Sequence, residues 1–82
     1  MYVLIQTERY TSPMVDSAIG LVGVYRSYEQ ADDVMSNLFD ARKDRFEESG
    51  YFETSAYLDN NDGTEYHWFI FNADSPEWIV NY

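Results

Sequence analysis

Four stretches of the chain are rich in apolar β-forming residues and are bounded by polar or turn-forming residues, a pattern typical of β-strands. The first stretch is Tyr2–Thr7, and the second is Ile19–Tyr25, which contains two glycines. Glycine inside a strand usually marks a bulge or the close approach of another group. The third stretch is Tyr51–Leu58, and the fourth is Thr64–Asn72, where aromatic residues occupy both odd and even positions. These aromatic residues predict a central strand, or a strand whose second face is covered.

A helix is predicted between the second and third stretches. Ser27 and Gln30 have the spacing of a capping box, which begins a helix with reciprocal hydrogen bonds. Gly50 is the predicted stop, because glycine favours the end of a helix. The helix is therefore expected from about Tyr28 to Glu47 or Glu48. Its inner side comprises Ala31, Val34, Met35, Leu38, Phe39 and Phe46, with Arg42 and Arg45 in the last turns.

The order β-β-α-β-β predicts an α+β fold, with a small antiparallel sheet and one long amphipathic helix packed on one face. A length of 82 residues predicts a single domain over residues 1–82. Asp62 and Gly63 are the preferred pair for a type I′ hairpin turn. The short C-terminal tail contains Trp78 and Ile79. Either this tail or a second subunit, in a homodimer, is expected to cover the second face of the sheet.

Fifteen acidic residues against five Lys and Arg give a net charge of −10. This charge disfavours direct contact with nucleic acid or an anionic membrane, since both repel it. It leaves three interpretations: solubility, adaptation to high salt, or a protein partner with a basic surface. The abundance of Tyr, Phe, Ile and Asn argues against the second. No apolar run approaches the roughly 20 residues of a membrane span, and no signal peptide is predicted, so a cytoplasmic location is expected.

Acidic residues recur on the side of the predicted helix opposite its apolar side. Carboxylates along a rigid helix can match the spacing of backbone phosphates and occupy a basic groove. The alternative is the ordinary solvated side that every amphipathic helix has. The excess of tyrosines is the second candidate feature, because tyrosine is enriched at interfaces. The predicted partner-binding residues are Glu29, Asp33, Asp40, Asp44, Glu47, Tyr57 and Tyr66.

No residue pattern in the chain predicts catalysis or metal binding. There are no cysteines, and the single histidine, His67, lies between aromatic residues without a nucleophile pattern. The segment Leu58–Glu65 superficially resembles a calcium loop around Gly63. However, the first and last ligand positions would fall on Leu58 and Phe69, which have no oxygen to donate. A protein that is not an enzyme, with no cofactor and no metal, is therefore expected.

Several segments resemble a family of short uncharacterised bacterial and phage proteins. The resemblance rests on the opening Tyr2–Ile5, on Leu21–Ala31 with its G-V-Y-x-S-x-E-x-A pattern, and on Gly50–Phe52 and Tyr57–Asp59. It covers about two-thirds of the chain and describes a strand-to-helix junction. It implies no activity and no catalytic residues, because none is established for that family.

Two functions are compatible with these features. The first is a non-enzymatic acidic binding protein of the phage or mobile-element inhibitor type, in the style of anti-CRISPR or anti-restriction proteins. Such a nucleic-acid mimic would engage a basic nucleic-acid-binding surface of a host protein. This hypothesis is an analogy of size and charge, not of motif. The alternative is a small dimeric regulatory or housekeeping domain that recognises an unknown protein through its aromatic surface.

Overall fold

The computed structural model describes residues 1–9, 18–60 and 63–74, which form a five-stranded antiparallel sheet with one helix on one face. The strand order across the sheet is β2-β1-β5-β4-β3. This arrangement confirms the predicted α+β fold, while the predicted tail and most of the predicted Asp62–Gly63 turn lie outside the described residues. The elements are β1 (Tyr2–Arg9), β2 (Ala18–Tyr25), α1 (Tyr28–Arg42), a 3-10 turn (Lys43–Arg45), β3 (Glu48–Tyr51), β4 (Ser55–Asp59) and β5 (Glu65–Asn72).

The predicted β-β-α-β-β order is wrong in one respect, because three strands follow the helix. The stretch predicted as one strand is a hairpin of β3 and β4, closed by a hydrogen bond of 2.8 Å from the Phe52 N–H to the Ser55 carbonyl. Gly50 lies inside β3 and does not end the helix. It pairs with Tyr57, whose ring would be only 2.3 Å from a Cβ at position 50. The glycine therefore makes room for a cross-strand ring.

The helix is also shorter than predicted. It ends at Arg42 and continues only as the 3-10 turn, so that Glu47 lies beyond it. Phe46 leaves the turn in extended backbone and packs edge-on against Tyr66, with 5.6 Å between ring centres. The guanidinium carbon of Arg42 lies 5.5 Å from the centre of the same ring. These contacts with Tyr66 favour the end of the helix at Arg42, which the hydrophobic pattern of the helix did not predict.

The predicted start of the helix is confirmed. The Ser27 hydroxyl oxygen accepts a hydrogen bond of 3.2 Å from the Gln30 N–H. The Gln30 side chain returns a bond of 3.1 Å, although it accepts from the N–H of Arg26 and not from that of Ser27. The first bond is the one that a capping box requires, while the second differs from it by one residue and satisfies the N–H of Arg26.

Replacing Ser27 with alanine is expected to lower the free energy of unfolding by about 1 kcal/mol, because it removes this cap. In a domain of this size, that loss corresponds to a fall in Tm of about 4–8 °C. Thermal unfolding followed by circular dichroism measures it. Ser27→Asp is the control, because aspartate caps equally well and should keep the parent Tm. Equal Tm values for all three proteins would show that the cap contributes nothing.

The glycines of β2 accompany a bulge, as predicted. Leu4 of β1 pairs with Gly23, but Ile5 pairs with Leu21, so Val22 is the extra residue. The ring of Tyr25 covers Gly23, where a Cβ would lie 2.4 Å from the Tyr25 hydroxyl oxygen. The bulge lets Val22 pack against the core from an edge strand.

The core lies between α1 and one face of the sheet. Trp68 is fully buried in β5, the middle strand, and its indole N–H donates a hydrogen bond of 2.8 Å to the side-chain oxygen of Gln6. The prediction that this strand is central is therefore confirmed. The residues that form the core are Leu4, Ala31, Met35, Phe39, Ala56, Leu58, Trp68 and Ile70.

Candidate binding surfaces

The first candidate surface is the outward side of the helix. Glu29, Asp33 and Asp40 of α1 are exposed there, and Asp44 is exposed in the 3-10 turn that follows. We call these four residues the acidic helix side. From Glu29 to Asp40 the helix rises about 16 Å, at about 1.5 Å per residue. Asp40 is 3.4 Å from the Lys43 ammonium nitrogen, which is an exposed ion pair and contributes little to stability.

Two neighbouring charged groups are directed away from this surface. Arg42 lies over the Tyr66 ring, and its guanidinium donates a hydrogen bond of 3.4 Å to the Leu38 carbonyl oxygen. Asp32 accepts a hydrogen bond of 2.5 Å from the Tyr51 hydroxyl, toward the sheet. Of the other neighbouring cations, Lys43 pairs with Asp40, Arg45 is exposed in the turn beside Asp44, and Arg26 lines a cleft together with Asp33.

Two tyrosine hydroxyls tie the helix to the β3–β4 hairpin. Burial and the hydrogen bond to Asp32 raise the pKa of Tyr51 well above its ordinary range. Tyr28 donates a hydrogen bond to the Glu53 carbonyl oxygen, and burial, followed by the charge of Asp32, raises its pKa. Both phenols are therefore neutral donors at physiological pH, and they fix the orientation of the helix.

The second candidate surface is the face of the sheet opposite the helix. Among the described residues, no element packs against it. Its most exposed apolar side chains are Ile19 at 79%, Leu21 at 65%, Phe52 at 57% and Val24 at 48%. We call it the open sheet face, and its apolar and aromatic residues are Val3, Ile5, Ile19, Leu21, Val24, Phe52, Tyr57, His67, Phe69 and Phe71.

Rings form a continuous stack along the open sheet face. Phe52 stacks on Tyr57, Tyr57 on His67, His67 on Phe69, and Phe69 on Phe71, with ring centres 6.1–6.3 Å apart. Stacking of neighbouring rings holds the side chains in a fixed, ordered array. A rigid apolar array loses little conformational entropy when another surface covers it.

Within the described strands, charged side chains on this face are concentrated in one row at one end. Arg9, Glu65, Asp59 and Glu48 lie opposite one another on four consecutive strands and form a transverse row. We call it the charged row. A guanidinium nitrogen of Arg9 lies 3.9 Å from Glu65, and His67 in the next row lies 3.6 Å from the same carboxylate. The other three transverse rows contain no acidic residue.

The structure distributes the predicted partner-binding residues over separate surfaces. Glu47 lies past the end of the helix, next to the acidic helix side in sequence. Tyr57 belongs to the open sheet face, whereas Tyr66 lies on the helix side of the sheet and stacks on Trp68, 6.0 Å between ring centres. Sequence reasoning did not identify Ile19, Leu21 and Val24 as exposed. The sequence signal for these residues is their alternation with Gly20 and Gly23 along β2, which the extra residue of the bulge interrupts.

A shallow cleft of about 440 Å³ separates the end of β2 from the start of the helix. Its polar residues are Arg26, Gln30 and Asp33, and Gln30 already serves the helix cap. Within the described ranges, no three His, Asp or Glu side chains are grouped as metal ligands. No described helix has the length and apolar composition to cross a membrane.

Comparison with known proteins identified no relative of this chain. The chain matches no protein-family model, no curated protein and no solved structure. The resemblance to short bacterial and phage proteins therefore stays a prediction from the sequence.

Proposed function

We propose that the protein is a non-enzymatic binding protein whose acidic helix side engages a basic, nucleic-acid-binding surface of another protein. The observation that carries this proposal is the acidic helix side itself. Its carboxylates are exposed along the helix and the 3-10 turn that follows it, and Asp40 pairs with Lys43, while Arg42 is directed toward Tyr66. A net charge of −10 adds long-range attraction to a basic partner.

The proposed effect on the partner is competition with nucleic acid. A groove of Lys and Arg that binds backbone phosphates responds to summed negative potential, and a row of carboxylates supplies that potential. The specific form of the proposal is a phage- or mobile-element-type inhibitor, in the anti-CRISPR or anti-restriction style. Small size and acidic charge support this form by analogy.

Neutralising Asp40 and Asp44 together, as Asp40→Asn and Asp44→Asn, is expected to weaken capture of nucleic-acid-binding proteins by the immobilised protein. The expected loss is about 2- to 30-fold, from about 0.2–1 kcal/mol for each exposed charge contact. Bacterial lysate is applied at low salt, and bound proteins are identified after elution with rising salt. A DNA oligonucleotide should compete for the same proteins. The fold should not change, because both residues are exposed.

The matched control removes two exposed carboxylates elsewhere, as Glu48→Gln and Glu53→Gln. It produces the same change in net charge away from the acidic helix side. If this control retains the lysate proteins as strongly as the parent protein does, and the Asp40, Asp44 variant does not, the acidic helix side carries the binding. If both double variants and the parent retain the same proteins to the same salt concentration, the acidity serves solubility and the proposal fails.

A second candidate function is the small dimeric regulatory or housekeeping domain, which the open sheet face favours. In that case the partner is recognised through aromatic surface, and binding depends weakly on salt. Truncating Tyr57 should then reduce binding more than neutralising Asp40 and Asp44. Truncating Tyr66 tests less, because this ring packs against Phe46 and Trp68 and its loss lowers stability as well.

A further inference from the structure

A second cleft, of about 210 Å³, lies where the end of the helix meets the start of β5. Two arginines line it, and its described lining residues include no carboxylate. This composition stands out in a chain that has fifteen acidic residues and only five Lys and Arg. The residues that line the cleft are Arg42, Arg45, Phe46, Asn60, Thr64 and Tyr66.

The 3-10 turn after the helix brings the two arginines to the same cleft. Arg42 directly precedes this turn, and Arg45 is its last residue. Side chains three residues apart lie on the same side of a 3-10 helix, because it has three residues per turn. Lys43, inside the turn, pairs instead with Asp40 on the helix. The turn therefore separates the two arginines from this neighbouring ion pair.

Arg42 is held in position by contacts within the protein. Its guanidinium lies over the Tyr66 ring, and it donates one hydrogen bond to the Leu38 carbonyl oxygen. A guanidinium has five N–H donors, so donors remain for a ligand. Within the described ranges, neither Arg42 nor Arg45 forms an ion pair with a carboxylate. Two cations beside one cleft repel each other, and an anion bound between them offsets that repulsion.

We propose that this cleft binds the phosphate group of a small molecule, and we call it the arginine cleft. Arginine suits this ligand, because its planar fork of N–H groups matches two oxygens of a phosphate. The side chains of Asn60 and Tyr66 add polar groups to the lining. Phe46, which is half-buried, adds an apolar wall for the organic part of the ligand.

Size and charge favour a ligand with a single phosphate group. The arginine cleft is smaller than the roughly 300–1,000 Å³ of pockets that enclose drug-sized ligands. The net charge of −10 repels polyanions such as nucleic acid. A single phosphate is repelled less, because at about 0.15 M salt charges more than about 8 Å away are largely screened. The site is independent of the proposed partner binding, since neither arginine belongs to the acidic helix side.

Phenyl phosphate is a suitable probe, because it combines one phosphate with one apolar ring. At about pH 7.5 its phosphate is mostly a dianion, since the second phosphate pKa is about 6. Titration of the ¹⁵N-labelled protein at constant ionic strength should give saturable chemical-shift changes, with a Kd of about 5 mM or lower. The largest changes are expected at the backbone N–H groups of Phe46, Asn60 and Thr64.

Replacing Arg42 and Arg45 together with glutamine is expected to raise the Kd for phenyl phosphate at least about tenfold, because both positive charges are lost. Arg42 also contacts Tyr66, so the single variant Arg45→Gln is tested as well. It should keep the parent Tm, because its side chain is exposed, and raise the Kd about threefold. The matched control is Arg26→Gln, which removes an exposed arginine from a different cleft and should keep the parent Kd.

Related probes show which part of the ligand is recognised. Phenol lacks the phosphate and should give no saturable change. Benzoate carries a single negative charge and should bind more weakly than phenyl phosphate. Inorganic phosphate should bind, but more weakly than phenyl phosphate, because it buries no apolar surface against Phe46. Equal affinity for these two phosphates would overturn the role of Phe46.

Four results would overturn the proposal. One is a parent protein that gives no saturable change with phenyl phosphate. Another is an Arg26→Gln control that loses as much affinity as the double arginine variant. The third is phenol or benzoate binding at least as tightly as phenyl phosphate, which would assign the cleft to different chemistry. The fourth is an Asp62→Asn variant that binds phenyl phosphate while the parent does not, which would show that a carboxylate of this chain excludes the ligand.

Discussion

Replacing Trp68 with alanine is expected to lower the free energy of unfolding by about 3–5 kcal/mol, as deletion of a buried aromatic side chain does. Trp68 is fully buried in the middle strand, stacks on Tyr66 and meets Phe39 edge-on at 6.4 Å. The loss also leaves the Gln6 oxygen without the indole N–H. An 82-residue domain has only about 4–12 kcal/mol in total, so this loss removes a large part of its stability.

Urea unfolding followed by far-ultraviolet circular dichroism measures this effect, because the variant loses the core tryptophan and keeps only Trp78 for fluorescence. Trp68→Phe is the control: it keeps a ring in the core but removes the hydrogen bond to Gln6. Its expected cost is smaller than that of Trp68→Ala, because most of the buried volume remains. A cost below about 1 kcal/mol for Trp68→Ala would contradict the central position of this ring in the core.

Replacing Met35 with alanine is expected to lower the free energy of unfolding by about 2–5 kcal/mol. Met35 is fully buried in the middle of the helix, between Ala31 and Phe39 on the same side. Truncation leaves a cavity between the helix and the sheet, where neighbouring atoms collapse only partly. Because a helix of fifteen residues is marginal alone in water, its attachment depends on this contact.

Two controls separate packing from helix propensity in the same urea experiment. Met35→Leu conserves volume and should cost less than about 1.5 kcal/mol. Asn37→Ala lies on the exposed outer side of the same helix and should leave stability unchanged or slightly raised, because alanine is the better helix former. If Met35→Ala is as stable as Asn37→Ala, the helix is held by other contacts.

Part of the candidate surfaces could be predicted from the sequence, because helical periodicity alone assigns sides. It placed Glu29, Asp33 and Asp40 on one side of the helix, and the structure exposes all three. Alternation along β5 likewise separated Tyr66 from His67. The open sheet face as a whole could not be predicted, since it is assembled from strands whose neighbours are set by the strand order.

The sequence by itself determined the features that depend on neighbouring residues. Ser27 and Gln30 define the start of the helix, because capping bonds join groups only a few positions apart. The glycines inside β2 marked the bulge. The rings at both odd and even positions of β5 marked a central strand, because neighbouring residues of a strand point to opposite faces of the sheet.

Tertiary structure decided the features that depend on distant partners. The helix ends at Arg42 because Phe46 and Arg42 meet Tyr66, a residue from another part of the chain. The stretch after the helix divides into β3 and β4 because the two halves pair with each other and β4 also pairs with β5. Register and strand order arise from hydrogen bonds and side-chain packing between segments far apart in sequence, and local periodicity carries no information about those pairings.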